Sequence, residues 1–478
     1  MNGLSYLYYR QGQYGKAEPL YVACLEQRRV ALGESHPDTL SSMNGLAILY
    51  KSQGQYGKAE PLYVACLDQR RIALGESHPN TLTSMNGLAN IYYSQGKYGK
   101  AEPLYVACLE QQRIALGESH PHTLDSMDCL ADLYFSQRQY GKAKPLYSAC
   151  LEQRRIALGE SHPDTLTSMN GLAYLYYKQG QHGQAEPLYV ACLEQRRITL
   201  GESHPCTLTS VHNLAALYNS QGEYIKAELL FIACLEQRHN ALGASHPHTL
   251  SSMNGLAYLY YRQGQYGKAE PLYMACLAQR RVALGESHPD TLTSMHNLAA
   301  LYKNQGQYVK AESLYMACLE QRRIALGESH PDTLTVVHNL ATLYTCKGQY
   351  WKAESLFMTC LEQRRMLLGE GHPNTLESMD SLAALYKSQG QYGKADSLYT
   401  ACLSQRRIAL GESHPLTLES MYNLAVLYDS HGQYGKAEPL LADCLRKREL
   451  ILGIDHPRTI DTRTKLNTIR WFIGYSKR

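Results

Sequence analysis

Residues 35–76 read "SHPDTLSSMNGLAILYKSQGQYGKAEPLYVACLDQRRIALGE", and this stretch decides the fold. Met43, Leu46, Ala47, Leu49 and Tyr50 fall at offsets 0, 3, 4, 6 and 7, which is one face of a helix. Gly54 follows, and glycine accepts the left-handed conformation with which helices commonly end. A second periodic run, Tyr56, Ala59, Leu62, Tyr63, Cys66 and Leu67, closes on Arg70 and Arg71 and then Gly75. Basic residues suit a helix C-terminus, and glycine suits the position after it. The 42 residues therefore encode a helix, a short turn, a second helix and a loop.

The loop announces the next helix. Ser35 is the expected N-cap, and Pro37 lies in the first turn, where its missing N–H costs nothing. Asp38 approximates a capping box. His36, between cap and proline, is assigned to loop packing or a backbone hydrogen bond. His-Pro returns eleven times from His36 to His456, always at a step of 42 residues. A fixed period of this size signals a stacked array and overrides the several domains that 478 residues would otherwise suggest. The expected fold is all-α: a right-handed superhelical solenoid of helix-turn-helix repeats. Its parts are a first repeat at 1–34, truncated at its N-terminus, ten tandem units over 35–454, and a capping helix at 455–478. Lys465 and Arg470 would give that last helix the polar face that a terminal element needs.

A formal net charge of +4 argues against nucleic acid or a membrane surface as partner. No run of about 18 apolar residues is present, so no membrane insertion is expected. "MNGLSYLYYR" lacks a basic start and a cleavage site, so no signal peptide is expected. Eleven of the fourteen cysteines, from Cys24 to Cys444, recur at the same step; the others are Cys129, Cys206 and Cys346. With no C-x-x-C pair, they read as small buried residues in a reducing compartment. The histidines would form a row along the stack, not a converging shell, so neither a metal nor another cofactor is expected. No nucleophile–base pair stands out, which argues against an enzyme. Seven prolines, including Pro61, fall early in second helices with a glycine four residues before, and a slightly irregular first turn is expected there. "GQYGKA" lacks the spacing of a phosphate loop.

Leu46, Ala47, Tyr50, Ala59, Tyr63 and Cys66 occupy the large, small, tyrosine, alanine, aromatic and small positions of the tetratricopeptide repeat. Its usual length is about 34 residues. The extra residues here fall in a longer second helix and the His-Pro loop. "QGQYGKAEPLY", "CLEQRR", "ALGESHPDT" and "NLAALY" resemble the 42-residue repeat of kinesin light chains, with related units in nephrocystin-3-like proteins and the sensor arms of NTPase receptors. The resemblance covers essentially the whole chain. It implies a cytoplasmic, microtubule-associated scaffold that binds protein or peptide partners, and kinesin heavy chain as a partner through an N-terminal coiled coil that this sequence does not contain. Met1 aligns with Met43, so the sequence is expected to begin inside a repeat, as a fragment or with its true start upstream.

First helices of such stacks line a concave surface. Three rows of equivalent positions there, through Asn44, Ile48 and Lys51, vary more than the core positions do. From Asn170 to Thr345 these rows hold no acidic residue. Lys178, Arg262 and Lys303 stand beside them with His212, His296 and His338, and with Asn254. Tyr174, Tyr177, Tyr258 and Tyr261 add rigid aromatic surface. Asn213, Asn297 and Asn339 match the "N-L-A" asparagine with which, by the resemblance, family members hold a peptide backbone. The expected ligand is an extended peptide with an aromatic residue amid acidic ones, and the expected role is that of a kinesin-light-chain-like cargo adaptor. Two alternatives stay open: a merely solvated face, and the ligand-sensing arm of a larger NTPase-type receptor.

Overall fold

The computed structural model of the chain describes residues 2–10 and 13–476. Met1, on which the expected start inside a repeat rests, lies outside them. The described residues form 23 helices and no strand. Two lengths alternate. First helices such as Pro37–Ser52 run 16 residues, and second helices such as Tyr56–Leu74 run 19. The chain divides into two compact blocks, residues 1–330 and 331–478.

Within each block the core is shared between neighbours. Leu82, Met85, Leu88 and Ile91 of one first helix pack against Ala59, Tyr63 and Leu67 of the preceding second helix and against Cys108 of the following one. A single hairpin cannot bury its apolar face alone; stacking makes the core continuous. In the second block the helix Pro457–Ser476 brings Leu466 and Ile469 onto Ala437 and Leu441 of the hairpin before it. Each block is an all-helical repeat solenoid.

The loop departs from its expected capping. His36, not Ser35, is the N-cap: its Nδ1 accepts from the backbone N–H of Asp38 at 3.2 Å. The same bond recurs at His78, His162, His246 and His414. Only the backbone of the residue after proline takes part, so its side chain varies freely among Asp38, Asn80, His122, Cys206, Leu416 and Arg458. Ser35 Oγ instead donates to Gln69 Oε1 at 2.7 Å, tying the loop to the second helix of its own repeat.

The prolines leave the length of their helices unchanged, while the first turn is tightened as expected: in all seven an i→i+3 bond forms there, as from Lys58 N–H to Gln55 O at 3.0 Å. Tyr56–Leu74, with Pro61, has the same length and register as Tyr308–Leu326, which has none. Proline removes one hydrogen bond near the start, and packing of the buried face, not that bond, holds the element.

Contacts 236 residues apart join distant repeats of the first block. His288 Nε2 lies 3.0 Å from Ser52 O, and His330 Nε2 lies 3.3 Å from Ser94 O. Gly54 has φ +71°, and a Cβ there would come within 2.5 Å of Pro289 Cδ. Glycine is needed at this turn for its backbone angle and for the approach.

Candidate peptide-binding face

Two first helices of the first block, Pro163–Lys178 and Pro247–Arg262, each end in an aromatic and cationic cluster. In the earlier one, Lys178 Nζ stands 5.1 Å from the ring centroids of both Tyr174 and Tyr177. Those rings meet tilted at 5.9 Å, and Tyr177 stacks on His182 at 6.3 Å. In the later one, Tyr258 stacks on Tyr261 at 6.0 Å, and Tyr261 meets Tyr266 at 6.1 Å. The Arg262 guanidinium, hydrogen-bonded to Tyr258, is held even more firmly charged than an ordinary arginine. Lys178 and Arg262 are exposed, as are Tyr174 and Tyr258. Position within the helix explains the arrangement: residues four apart share a face, so each cation lies beside the tyrosine one turn before it.

The asparagines form a ladder between repeats. Asn213 Nδ2 donates to Asn170 Oδ1 at 3.1 Å, and Asn297 Nδ2 donates to Asn254 Oδ1 at 3.1 Å. An amide offers two N–H donors and an acceptor oxygen, so each donor asparagine keeps capacity for a ligand. Asn304 Nδ2 reaches back in the same way to the Tyr261 hydroxyl at 2.7 Å.

The histidines turn edge-on to aromatic rings of second helices, His212 to Phe231 at 5.2 Å and His296 to Tyr315 at 5.4 Å. Burial, aided by the charge of Arg238, pulls the pKa of His212 down to about 4. At neutral pH it is therefore a polar but uncharged part of the wall. Lys303 is half-buried on its first helix. His338 and Asn339 belong to the second block, where His338 meets Phe357 at 5.3 Å and its Nε2 lies 3.5 Å from Ser381 Oγ.

Further toward the N-terminus the wall turns acidic. Arg154 holds Asp128 and Asp125 at 2.7 Å each. Asp132 accepts from the Tyr147 hydroxyl. Burial, countered by that bond, pushes the Asp132 carboxyl up to about 6.

Sequence reasoning missed the buried arginine row. Arg70, a helix-end cation by its place in the sequence, is 5% exposed, and its Nη1 donates to Asn80 O at 2.7 Å and Ser84 Oγ at 2.8 Å in the next repeat. Cys66, also fully buried, donates to Leu40 O at 3.5 Å and lies 3.4 Å from Ser84 Oγ. Both signals were present in the 42-residue periodicity; which of the adjacent pair Arg70 and Arg71 faces inward was not. Among the described residues no group of three or more His, Cys, Asp or Glu could hold a metal ion, and no helix is long and apolar enough to cross a membrane.

The tetratricopeptide-repeat family matches ten overlapping stretches, residues 1–72, 52–114, 80–155, 122–198, 172–236, 207–281, 254–315, 290–366, 352–407 and 381–450. A nucleotide-binding leucine-rich repeat (NLR)-like protein of Hyaloscypha variabilis is 50% identical over 43 residues, 9% of this chain and 4% of that protein. The match thus spans a small part of that relative's length. Among solved structures, the nearly identical TPR-like repeats of a Podosopora anserina kinesin-light-chain-type protein are 29% identical, covering 43% of this chain and 97% of theirs, with a TM-score of 0.36. BtubC from P. vanneervenii is 20% identical over 52% of this chain and 92% of its own, with a TM-score of 0.37.

Proposed function

Because this chain belongs to the tetratricopeptide-repeat family, we propose that it is a protein-interaction scaffold whose inner face over residues 170–330 binds an extended segment of a partner protein. The favoured segment is acidic with an aromatic residue, and the role is that of a kinesin-light-chain-like cargo adaptor. The observation that carries the reading is the pair of exposed cations held by tyrosines, Lys178 over the rings of Tyr174 and Tyr177, and Arg262 hydrogen-bonded to Tyr258. Carboxylates of the segment meet these cations, its aromatic ring packs on the tyrosines, and its backbone meets the amide groups of Asn213 and Asn297. Each solvated charge pair contributes about 1 kcal/mol or less. Several together with the aromatic contact reach micromolar affinity, about −8 kcal/mol.

Calorimetric titration with an acidic, tyrosine-containing peptide tests this. Lys178→Glu with Arg262→Glu should weaken binding at least about tenfold, and raised salt should weaken it in the unaltered chain. Lys387→Glu, outside the face, should matter less. Selection of basic peptides from a library, or intact binding after the double reversal, would overturn the reading.

The likeness of 43 residues to an NLR-like protein favours a second reading, the ligand-sensing arm of a larger NTPase-type receptor. The full coding sequence separates the two: a heptad coiled coil upstream supports the adaptor, and a phosphate-loop domain supports the receptor.

A further inference from the structure

Ten of the eleven repeats, from Arg28 to Arg448, carry an arginine at this place of the second helix, half-buried at Arg28 and buried in the other nine; the exception is Gln112. Where arginine is present its guanidinium fills a fixed place. Arg238, for example, donates to His248 O at 2.9 Å, Ser252 Oγ at 2.8 Å and Thr209 Oγ1 at 3.2 Å. Gln112 is equally buried, at 6% exposure, but it is shorter and brings an amide in place of a planar cation. Its Oε1 has no hydrogen-bond partner. It lines a recess of about 400 Å³ on the inner side of the first helices, beside Asn44, Asn86 and Asp125. The side-chain oxygens of Asn44 and Asn86 are likewise buried without partners. Asp125 adds a carboxylate, 59% exposed, which Arg154 already bonds at 2.7 Å.

We propose that this recess takes the guanidinium of an arginine side chain presented by a partner segment, replacing from outside the group that the other repeats carry themselves. The lining residues are rich in acceptors: one carboxylate, and three unpartnered amide oxygens that lie just beneath the surface and would reach the recess by a turn of their terminal side-chain torsions. Buried acceptors left unpaired are costly, and a planar fork of N–H donors can satisfy several at once. An anion would face those same oxygens and be repelled. Lys51 is the one lysine or arginine among the lining residues, and burial lowers its pKa; its charge opposes an incoming cation. The site lies apart from the peptide face over 170–330 and prefers the opposite charge, so it does not depend on the adaptor reading.

The test uses the full chain and N-acetyl-arginine amide as probe, with the citrulline and lysine counterparts as controls, read by NMR shift changes at millimolar ligand. Arginine amide should bind at least about tenfold more tightly than citrulline amide, which has the shape without the charge, and more tightly than lysine amide, which lacks the fork. Gln112→Arg should abolish binding while raising the melting temperature, because the side chain refills its own site. Gln112→Leu, which removes the acceptor at similar volume, keeps the test decisive if the first variant misfolds; it should weaken binding about tenfold. Lys51→Met should strengthen binding severalfold. Equal binding of arginine and citrulline amides, no arginine binding at millimolar concentration, or binding retained in both Gln112 variants would each overturn the proposal.

Discussion

Asp132 and Asn90 hold equivalent places in successive repeats and accept equivalent tyrosine hydroxyls, from Tyr147 and Tyr105. One is a carboxylate and the other a neutral amide, so the pair isolates the effect of charge at a buried position. Burial raises the Asp132 pKa from its usual value to about 6. The unfolded chain then binds fewer protons than the folded one between those values, so the ionised form costs stability at neutral pH and the cost fades as pH falls through about 6. Asp132→Asn keeps the acceptor for Tyr147 and removes the charge. It should stabilise the chain at pH 7.5 by about 1–3 kcal/mol, with roughly half of the gain gone at pH 5 and most of it at about pH 4, read as urea midpoints across that range. His212 has the opposite sign: its pKa, lowered to about 4, means that stability present above the ordinary histidine value is lost on acidification toward 4. Neither shift was legible in the sequence, because burial at one position depends on the neighbouring repeat. The varied inner rows themselves were legible, since positions free of packing duty drift in an otherwise near-identical array.

At the scale of the element, periodicity located both helices of every repeat but left two end details unresolved. Ser35 and His36 are each able to accept an N–H at a helix start, and one residue of register decides between them; the structure gives the cap to His36. The two adjacent arginines pose the same problem, since consecutive residues point about 100° apart on a helix. Arg364 is 2% exposed and donates to Asn374 O at 2.7 Å and Ser378 Oγ at 2.8 Å, whereas Arg365 lies at the surface and pairs with Glu370 at 3.1 Å. Arg364→Met should cost about 2–3 kcal/mol, because it removes two charge-assisted hydrogen bonds to the next repeat. Arg365→Met should change stability by no more than about 0.5 kcal/mol. Equal losses in thermal or denaturant melts would show that the inward row does not tie repeats together.

At the scale of the whole molecule, the first block adds contacts that its sequence could not disclose. A repeat pattern specifies neighbour packing, but whether distant repeats meet depends on small rotations accumulated at every junction. They do meet here. His288 Nδ1 accepts from the backbone N–H of Asp290 at 3.1 Å, which places the ring proton on Nε2 and makes that atom the donor to Ser52 O at 3.0 Å. One ring thus caps its own helix and holds a turn 236 residues earlier. His246 caps its helix by the same bond, 3.2 Å to His248 N, and serves as the control. Substituting either by alanine removes a cap, at about 1 kcal/mol, but only His288→Ala should also release the Ser52–Tyr56 turn. Hydrogen exchange followed by mass spectrometry should show faster exchange over residues 53–58 in His288→Ala and unchanged exchange there in His246→Ala. If both variants behaved alike over that segment, the long-range contact would contribute nothing to holding the block closed, and the inner face would be set by neighbour packing alone.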